Sequence, residues 1–355
     1  MGPNGYCLWD GDGDVADIHL GGFPIFVFPI LAPLKFLMNM MLSFLGGLLL
    51  IVMFIAFLPV PEQVRYESLS NDAIRIKEIH ERIVANPKPI DVAFIGTSHT
   101  WNGVSDSEIE SLLSTAGTSV AVANLASSWP GRDINLFLIK QLLRHKNPRL
   151  IILEIQEHEY RGGHGVLPYV ANLSDMFCCR FFLDPHFPRN FLSYLKRQTL
   201  NSLTLILRGG SELVGADPAD FGWMPLTRTG RPFHPALSSN TPSITRVKEL
   251  GYVATSAYGL DVVRRIVRLA RERRVDVAFL YLPEFAYANR PPVVSIRYYT
   301  ELGPVLRIPA TISKDPTMWF DKAHLNLDGS KLLAFKLAAD VQTLLNLGKP
   351  NDIWN

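Results

Sequence analysis

The chain has 355 residues, 48% of them apolar and 19% charged, with a formal net charge of +2. So apolar a composition excludes an intrinsically disordered chain, and near-neutrality gives no ground for a nucleic-acid partner. Cys7, Cys178 and Cys179 make no framework of bridges and match no zinc-ligand spacing, so neither metal nor cofactor is expected.

Residues 1–35 open with the acidic run Asp10, Asp12, Asp14 and Asp17. Phe23 to Leu34 is apolar but broken by Pro24, Pro29 and Pro33, and reads as an interfacial segment. Phe36 to Pro59 carries no charge, and roughly 20 apolar residues suffice to cross a bilayer. A transmembrane helix is predicted there, with the lipid bilayer as a partner. No small-x-small cleavage pattern follows it, only Leu58-Pro59-Val60-Pro61, so the helix reads as an uncleaved single-pass anchor. Met38, Met40 and Met41 at its head offer alternative starts that would leave the first 37 residues out of the physiological product. Lys35 upstream against Arg65, Arg75 and Lys77 downstream biases the large domain slightly towards the inside.

Residues 60–89 read as a stalk with a helical stretch through Ile79, Ile83 and Val84, ended by Asn86-Pro87-Lys88-Pro89. From residue 90 onward, strands and helices alternate. Ile90 to Ile95 is a continuous apolar strand of the kind buried on both faces. Ser105-Asp106-Ser107-Glu108 is a capping box that starts a helix. Val120 to Leu125 and Arg149 to Ile155 are further strands, with a helix over Asp133 to His145 between them. The alternation stops over 158–256, an insertion with one amphipathic helix near Asn190 to Arg208, expected to fold over the active face as a lid or cap. It resumes with a helix over Leu260 to Arg273, whose six arginines from Arg264 to Arg274 read as a solvated face. A strand over Val275 to Leu282 follows, then a last helix over about Asp328 to Leu345, capped by Asp328. Such alternation predicts an α/β domain over 90–355, a parallel sheet with helices on both faces.

Two segments carry the candidate chemistry. Gly96-Thr97-Ser98-His99-Thr100 follows the first strand, and ligands of such sheets bind at the strands' carboxyl ends. Asp321-Lys322-Ala323-His324 supplies an acid and a histidine three residues apart. A serine hydroxyl needs a base to take its proton, and that base needs a partner to fix its tautomer. Ser98, His324 and Asp321 therefore form a candidate catalytic set for ester or acyl chemistry. His99 reads as a pocket residue. Trp101 and Trp129 flank the site, where a ring could stack on a sugar or pack in the core. Glu154, Glu157, His158, Glu159 and His164 fit no helical ligand pair.

The strand ending in Gly96-Thr97-Ser98 and the terminal Asp321-x-x-His324 resemble the SGNH (GDSL-like) hydrolase superfamily. Within it the chain is most similar to the membrane-anchored branch associated with polysaccharide O-acylation or teichoic-acid D-alanylation. The resemblance covers roughly 90–157 and 275–345 and implies a flavodoxin-like parallel sheet of about five strands. The second family block is matched by Asn124-Leu125-Ala126, with its glycine displaced to Gly131, and the resemblance implies that both serve the oxyanion. The third block normally supplies an asparagine. Here the strand runs into Glu154-Ile155-Gln156-Glu157-His158, leaving Gln156 or a backbone amide to substitute. The implied activity is a serine esterase or O-acyltransferase with an acyl-serine intermediate, acting on a cell-surface glycan or acyl carrier. The implied setting is extracytoplasmic, beside a multi-spanning membrane acyltransferase. A catalytically weakened binding or scaffold subunit of the same kind of complex is the alternative.

Overall fold

The computed structural model describes residues 19–20, 23–24, 31–56, 58–67, 69, 73–156, 159–178, 180–208, 222–227, 233, 249–285 and 293–347. The chain forms two compact units, Met1–Leu58 and Pro59–Asn355. In the first, residues 19–20 and 23–24 pair as a two-stranded turn, and helix α1 (Leu31–Ala56) follows. Its stretch Phe36–Ile55 is long and apolar enough to cross a membrane, and none of it is buried. The helix begins at Leu31 rather than Phe36. Pro33 does not prevent this, because a proline in the first turn lacks an N–H that would have had no helical partner anyway. Half of the expected interfacial segment, with Cys7 and the acidic run, lies outside the described residues.

The second unit is a five-stranded, all-parallel sheet. Its strands are β1 (Val92–Ile95), β2 (Val122–Asn124), β3 (Leu150–Ile155), β4 (Asp276–Tyr281) and β5 (Val305–Arg307), in spatial order β2-β1-β3-β4-β5. That is the flavodoxin-like order, and its topological switch point falls between β1 and β3. Side chains alternate between the two faces. Ala93, Ile95, Ile151, Leu153 and Phe279 enter one core layer, whereas Val92, Phe94, Ile152 and Leu280 enter the other. Helices α3 (Ile74–Val84), α6 (Arg132–His145) and α10 (Glu249–Glu272) cover the first face, and α5 (Asp106–Thr115) and α13 (Leu327–Leu347) the second.

The expected stalk is part of the domain. Helix α2 (Glu62–Glu67) leads into α3, which buries Ile76, Ile79 and Ile83 in the core. Its Arg75 reaches beneath the sheet edge to the carbonyls of Asn124 (2.8 Å) and Ala126 (3.0 Å). The last helix is capped by Asn326, whose Oδ1 accepts from Gly329 N at 2.9 Å, and not by Asp328, which lies inside the first turn.

The insertion is only partly a cover for the active face. Short helices α7 (Leu167–Val170) and α8 (Leu173–Met176) and the long α9 (Phe187–Arg208) belong to it. α7 packs on α2, α6 and α9. Glu159, at its start, is fully buried in a paired bond to Arg132 (2.7 Å twice) and also accepts from the Tyr299 hydroxyl of α11 (Val293–Thr300). Among the described residues of the insertion, the stretch 222–227 comes to the pocket, through Leu226. It is pinned by Gly222 N on Asp106 Oδ2 (2.8 Å), Asn102 Nδ2 on Met224 O (3.0 Å) and Leu327 N on Leu226 O (3.0 Å). Residues 209–221 and 234–248 lie outside the described residues.

Candidate active site

Five segments at the carboxyl edge of the sheet converge on one cavity of about 720 Å³. Thr97, Ser98 and His99 come from the turn after β1, Ser128, Trp129 and Pro130 from the loop after β2, and Gln156 from the end of β3. Glu284 follows β4, and Phe320, Asp321 and His324 come from the loop before α13. Leu226 supplies an apolar wall from the insertion.

Ser98 is the first residue of α4 (Ser98–Gly103), a short helix that Thr97 caps by accepting from His99 N at 3.3 Å. Ser98 Oγ lies 2.9 Å from His324 Nε2. On the far side of the ring, Nδ1 stands 3.0 Å from each Asp321 carboxylate oxygen. A carboxylate only accepts, so Nδ1 carries the proton and Nε2 is left to accept from the serine hydroxyl. Asp321 is itself held by the backbone N–H groups of Ala323 (2.7 Å) and His324 (2.8 Å). Burial acts to raise its pKa, but the His324 contact and these amide bonds outweigh it and bring the carboxyl down to about 2. It stays ionised wherever the protein is folded at ordinary pH, as an acid that orients an imidazole must.

The turn holding Ser98 rests on a residue that the sequence did not single out for this role. Glu154 is the last but one residue of β3, on the face that Ile152 shares with α13 by strand alternation, and is buried. It accepts from Thr97 N (2.8 Å), Thr97 Oγ1 (2.8 Å), Thr100 Oγ1 (2.6 Å) and Thr100 N (3.3 Å). Two threonines bracketing Ser98 are thus fastened to one carboxylate. A side chain on Gly96 would collide with Glu154 Oε2 and Thr100 Oγ1, so only glycine admits this approach. The signal was an acid in the otherwise apolar strand Leu150-Ile151-Ile152-Leu153-Glu154-Ile155, because a buried carboxylate requires partners.

The other expected site residues divide. His99 and Gln156 line the cavity. The His99 ring meets that of His324 edge-on at 5.5 Å and places Nδ1 3.4 Å from Leu282 O. Asn124, Gly131 and Trp101 do not line it. Asn124 is buried, with Nδ2 donating to Thr100 O (2.9 Å) and Val104 O (2.7 Å) and Oδ1 accepting from Ala126 N (3.1 Å). With its amide so engaged it locks α4 in place instead of facing a ligand. Gly131 is the residue before α6, close-packed against His164 where a Cβ would clash. Trp101 lies under the Arg75 guanidinium, 5.2 Å from its ring centre. Asn102, also in the cavity, spends its Nδ2 on Met224 O. The five residues considered for a metal go separate ways. Glu154 holds the Ser98 turn, Glu159 pairs with Arg132 and His164 bonds Ser128, while Glu157 and His158 lie outside the described residues.

Trp129 presents 76% of its surface to solvent at the cavity mouth, with φ of 68°. A non-glycine residue pays conformational energy in that region and needs its neighbours to hold it. His164 does so. Its Nδ1 accepts from Val166 N (3.1 Å), so Nε2 carries the proton and donates to Ser128 O at 2.9 Å. Burial lowers the His164 pKa, which favours this neutral form. Asp133 in turn accepts from His164 N at 2.9 Å.

Burial pushes the Asp133 carboxyl up to about 7 from an ordinary 3.8, against the bonds from His164 and Ile134. A raised folded pKa means that its stabilisation is complete below the unfolded value and is lost as pH climbs through the folded one. Asp133→Asn should therefore gain on the wild type between about pH 4 and about pH 7. Melting temperatures of both proteins across that range check this. A constant or opposite difference contradicts it.

No protein-family model matches the sequence, and no curated protein does. Among solved structures, one provisionally described as an acylhydrolase from Bacteroides fragilis is 10% identical. The alignment covers 73% of this chain and 91% of that one, with a TM-score of 0.34. A GDSL-like lipase from Bacteroides thetaiotaomicron is 11% identical over 77% of this chain and all of that one, with a TM-score of 0.36. The fold rests on this chain's own strand order, and the site on its own side chains.

Proposed function

We propose that the chain is a membrane-anchored serine esterase or O-acyltransferase of the SGNH type, acting on a cell-surface glycan or an acyl carrier. The observation that carries this reading is the relay Ser98 Oγ–His324 Nε2 at 2.9 Å and His324 Nδ1–Asp321 at 3.0 Å, set in a cavity at the sheet's switch point. His324 takes the hydroxyl proton as Ser98 Oγ bonds to the acyl carbon. The ester C–O bond then breaks and the same proton passes to the leaving alcohol. Water or an acceptor hydroxyl completes the cycle by attacking the acyl-serine, its proton returning through His324 to Ser98.

The oxyanion needs donors. In turn 97–100 the amides of Thr97 and Thr100 serve Glu154 and that of His99 serves Thr97, leaving the amide of Ser98 itself. Gln156, at the end of the neighbouring strand, is the side-chain donor in this reading. The exposed indole of Trp129 offers a flat apolar face to a sugar ring, with Glu284 nearby to accept from hydroxyls.

The purified full chain in detergent, given a small acetyl ester and an O-acetylated polysaccharide, should release acetate from both. Trp129→Ala should lose the polysaccharide activity selectively. A second reading, a binding subunit with weakened catalysis, is favoured by the commitment of both Asn102 and Asn124 to backbone carbonyls. Polysaccharide binding without turnover of either ester would select it.

The domain is placed outside the cytoplasm in this reading. Ser174→Cys, at an exposed position before Asp175, should react on intact cells with a membrane-impermeant maleimide above the level of the parent chain. Reaction only after lysis puts the domain inside.

A further inference from the structure

Helix α9 turns its more aliphatic face outward. Its inner face packs Phe191, Tyr194 and Leu195 on the core, but it also buries the polar Asn190, Gln198, Asn201 and Ser202, Asn201 to 3% exposure. Its outer face carries Leu192, Leu200, Leu203, Ile206 and Leu207, with Leu192 67% and Leu207 81% exposed. These positions recur at helical spacing and form one stripe, joined by Lys196. A helix of a water-soluble surface keeps its amides outward and few of its leucines there. Here Gln198 Oε1, Asn201 Nδ2 and Ser202 Oγ are buried without a hydrogen-bond partner among the described residues, while five aliphatic side chains face out. Burying amides and exposing leucines costs free energy twice over in water. The second cost disappears if the outer face meets hydrocarbon.

Charge and chain order identify the hydrocarbon. Phe187–Arg208 contains Arg189, Lys196, Arg197 and Arg208 and no acidic residue. A basic amphipathic helix of this length is the form that lies in a bilayer interface, its long cationic side chains reaching lipid phosphates. Only five residues separate the end of α1 from the domain's first helix, α2. α2 packs on α7 with Arg65 donating to Ala171 O (3.4 Å), and α7 packs on α9. α9 therefore belongs to the part of the domain that the chain enters directly from its membrane-crossing helix. Exposed Phe182, just before α9, adds an aromatic suited to the same interface.

We infer that the outer face of α9 is a second membrane contact, seated in the headgroup region of the bilayer that α1 crosses. This holds the domain in one orientation on the lipid instead of letting it swing on a tether. The inference rests on the anchoring of α1 and is independent of the chemistry at Ser98.

The test uses the full chain in nanodiscs containing anionic lipid. A dansyl-bearing amino acid is introduced by codon reassignment at Leu203, at Leu207, or at the exposed Arg268 of α10 as control. With a nitroxide on the lipid headgroup or upper acyl chain, quenching at 203 and 207 should exceed that at 268 about three-fold or more, with blue-shifted emission, as an interfacial helix requires. Equal quenching at all three sites, with emission typical of water, overturns the inference. So does blue-shifted emission without lipid quenching, which would mean that protein covers the face, whether a second copy or another segment of this chain. Melting curves of the three labelled proteins show that each is folded. Hydrolysis of the small acetyl ester, read on the same nanodiscs, should be the same at all three label positions.

Discussion

Replacing Ser98 with alanine should reduce hydrolysis of a small acetyl ester by roughly 10⁴-fold or more, because members of a nucleophile–base set act as a unit and losing one forfeits most of what the set supplies. The fold should be untouched. Among the described residues Ser98 Oγ has one hydrogen-bond partner, His324 Nε2, and no backbone group depends on it. His324→Ala should fall to a similar level, and the double variant should be little worse than either single one, since each removes the same proton relay. Rates of the purified proteins, beside their melting temperatures, check this. Wild-type activity in folded Ser98→Ala would remove acyl-serine chemistry from the account.

The second large effect concerns a residue that never touches substrate in this reading. Glu154→Leu removes the acceptor for four donors at once, two backbone amides and two hydroxyls. Each buried donor left without a partner costs about 1–3 kcal/mol. The variant should lose on the order of 4 kcal/mol or more, a large share of the stability of an ordinary domain. Glu154→Gln keeps the shape but turns one acceptor into a donor facing other donors. It should fold with a smaller loss and still be slow, because Ser98 is no longer fixed against His324, and poor positioning alone can cost a hundredfold. Denaturant unfolding of both variants, with kcat for the second, separates the effects. Full activity in Glu154→Gln would mean that the Ser98 turn holds its place without the carboxylate.

Much of this architecture was written locally. Ile90 to Ile95 and Arg149 to Ile155 are continuous apolar runs, and a strand buried on both faces needs nothing else to be recognised. The Ser105 cap is equally local, its Oγ accepting from Glu108 N at 3.4 Å. The Ser98, Asp321 and His324 segments could be read from residue type and strand context. The elements without a local signal depend on neighbours distant in sequence. β5 is a three-residue edge strand, Val305–Arg307, too short to show a pattern. α10 starts at Glu249 and not near Leu260, running through Gly251 and Gly259 although glycine disfavours a helix interior. Gly259 in fact makes room for Glu159, whose Oε2 a Cβ there would meet at 2.8 Å. Glu154 finds its threonines 54 and 57 residues away, so nothing beside it in sequence announces its task. Resemblance alone puts Asn124 at the oxyanion. Only the backbone of α4, folded over it, shows where its amide goes.

Ser98 should be an activated nucleophile, and covalent labelling measures that without assuming any substrate. A fluorophosphonate forms a stable adduct with a serine whose proton a neighbouring base removes. Incubated with the full chain and followed by peptide mapping, it should modify Ser98, and His324→Ala should abolish the adduct while the protein remains folded. Absence of any adduct on the folded wild-type chain, or an adduct on another serine with Ser98 unmodified, would contradict the account.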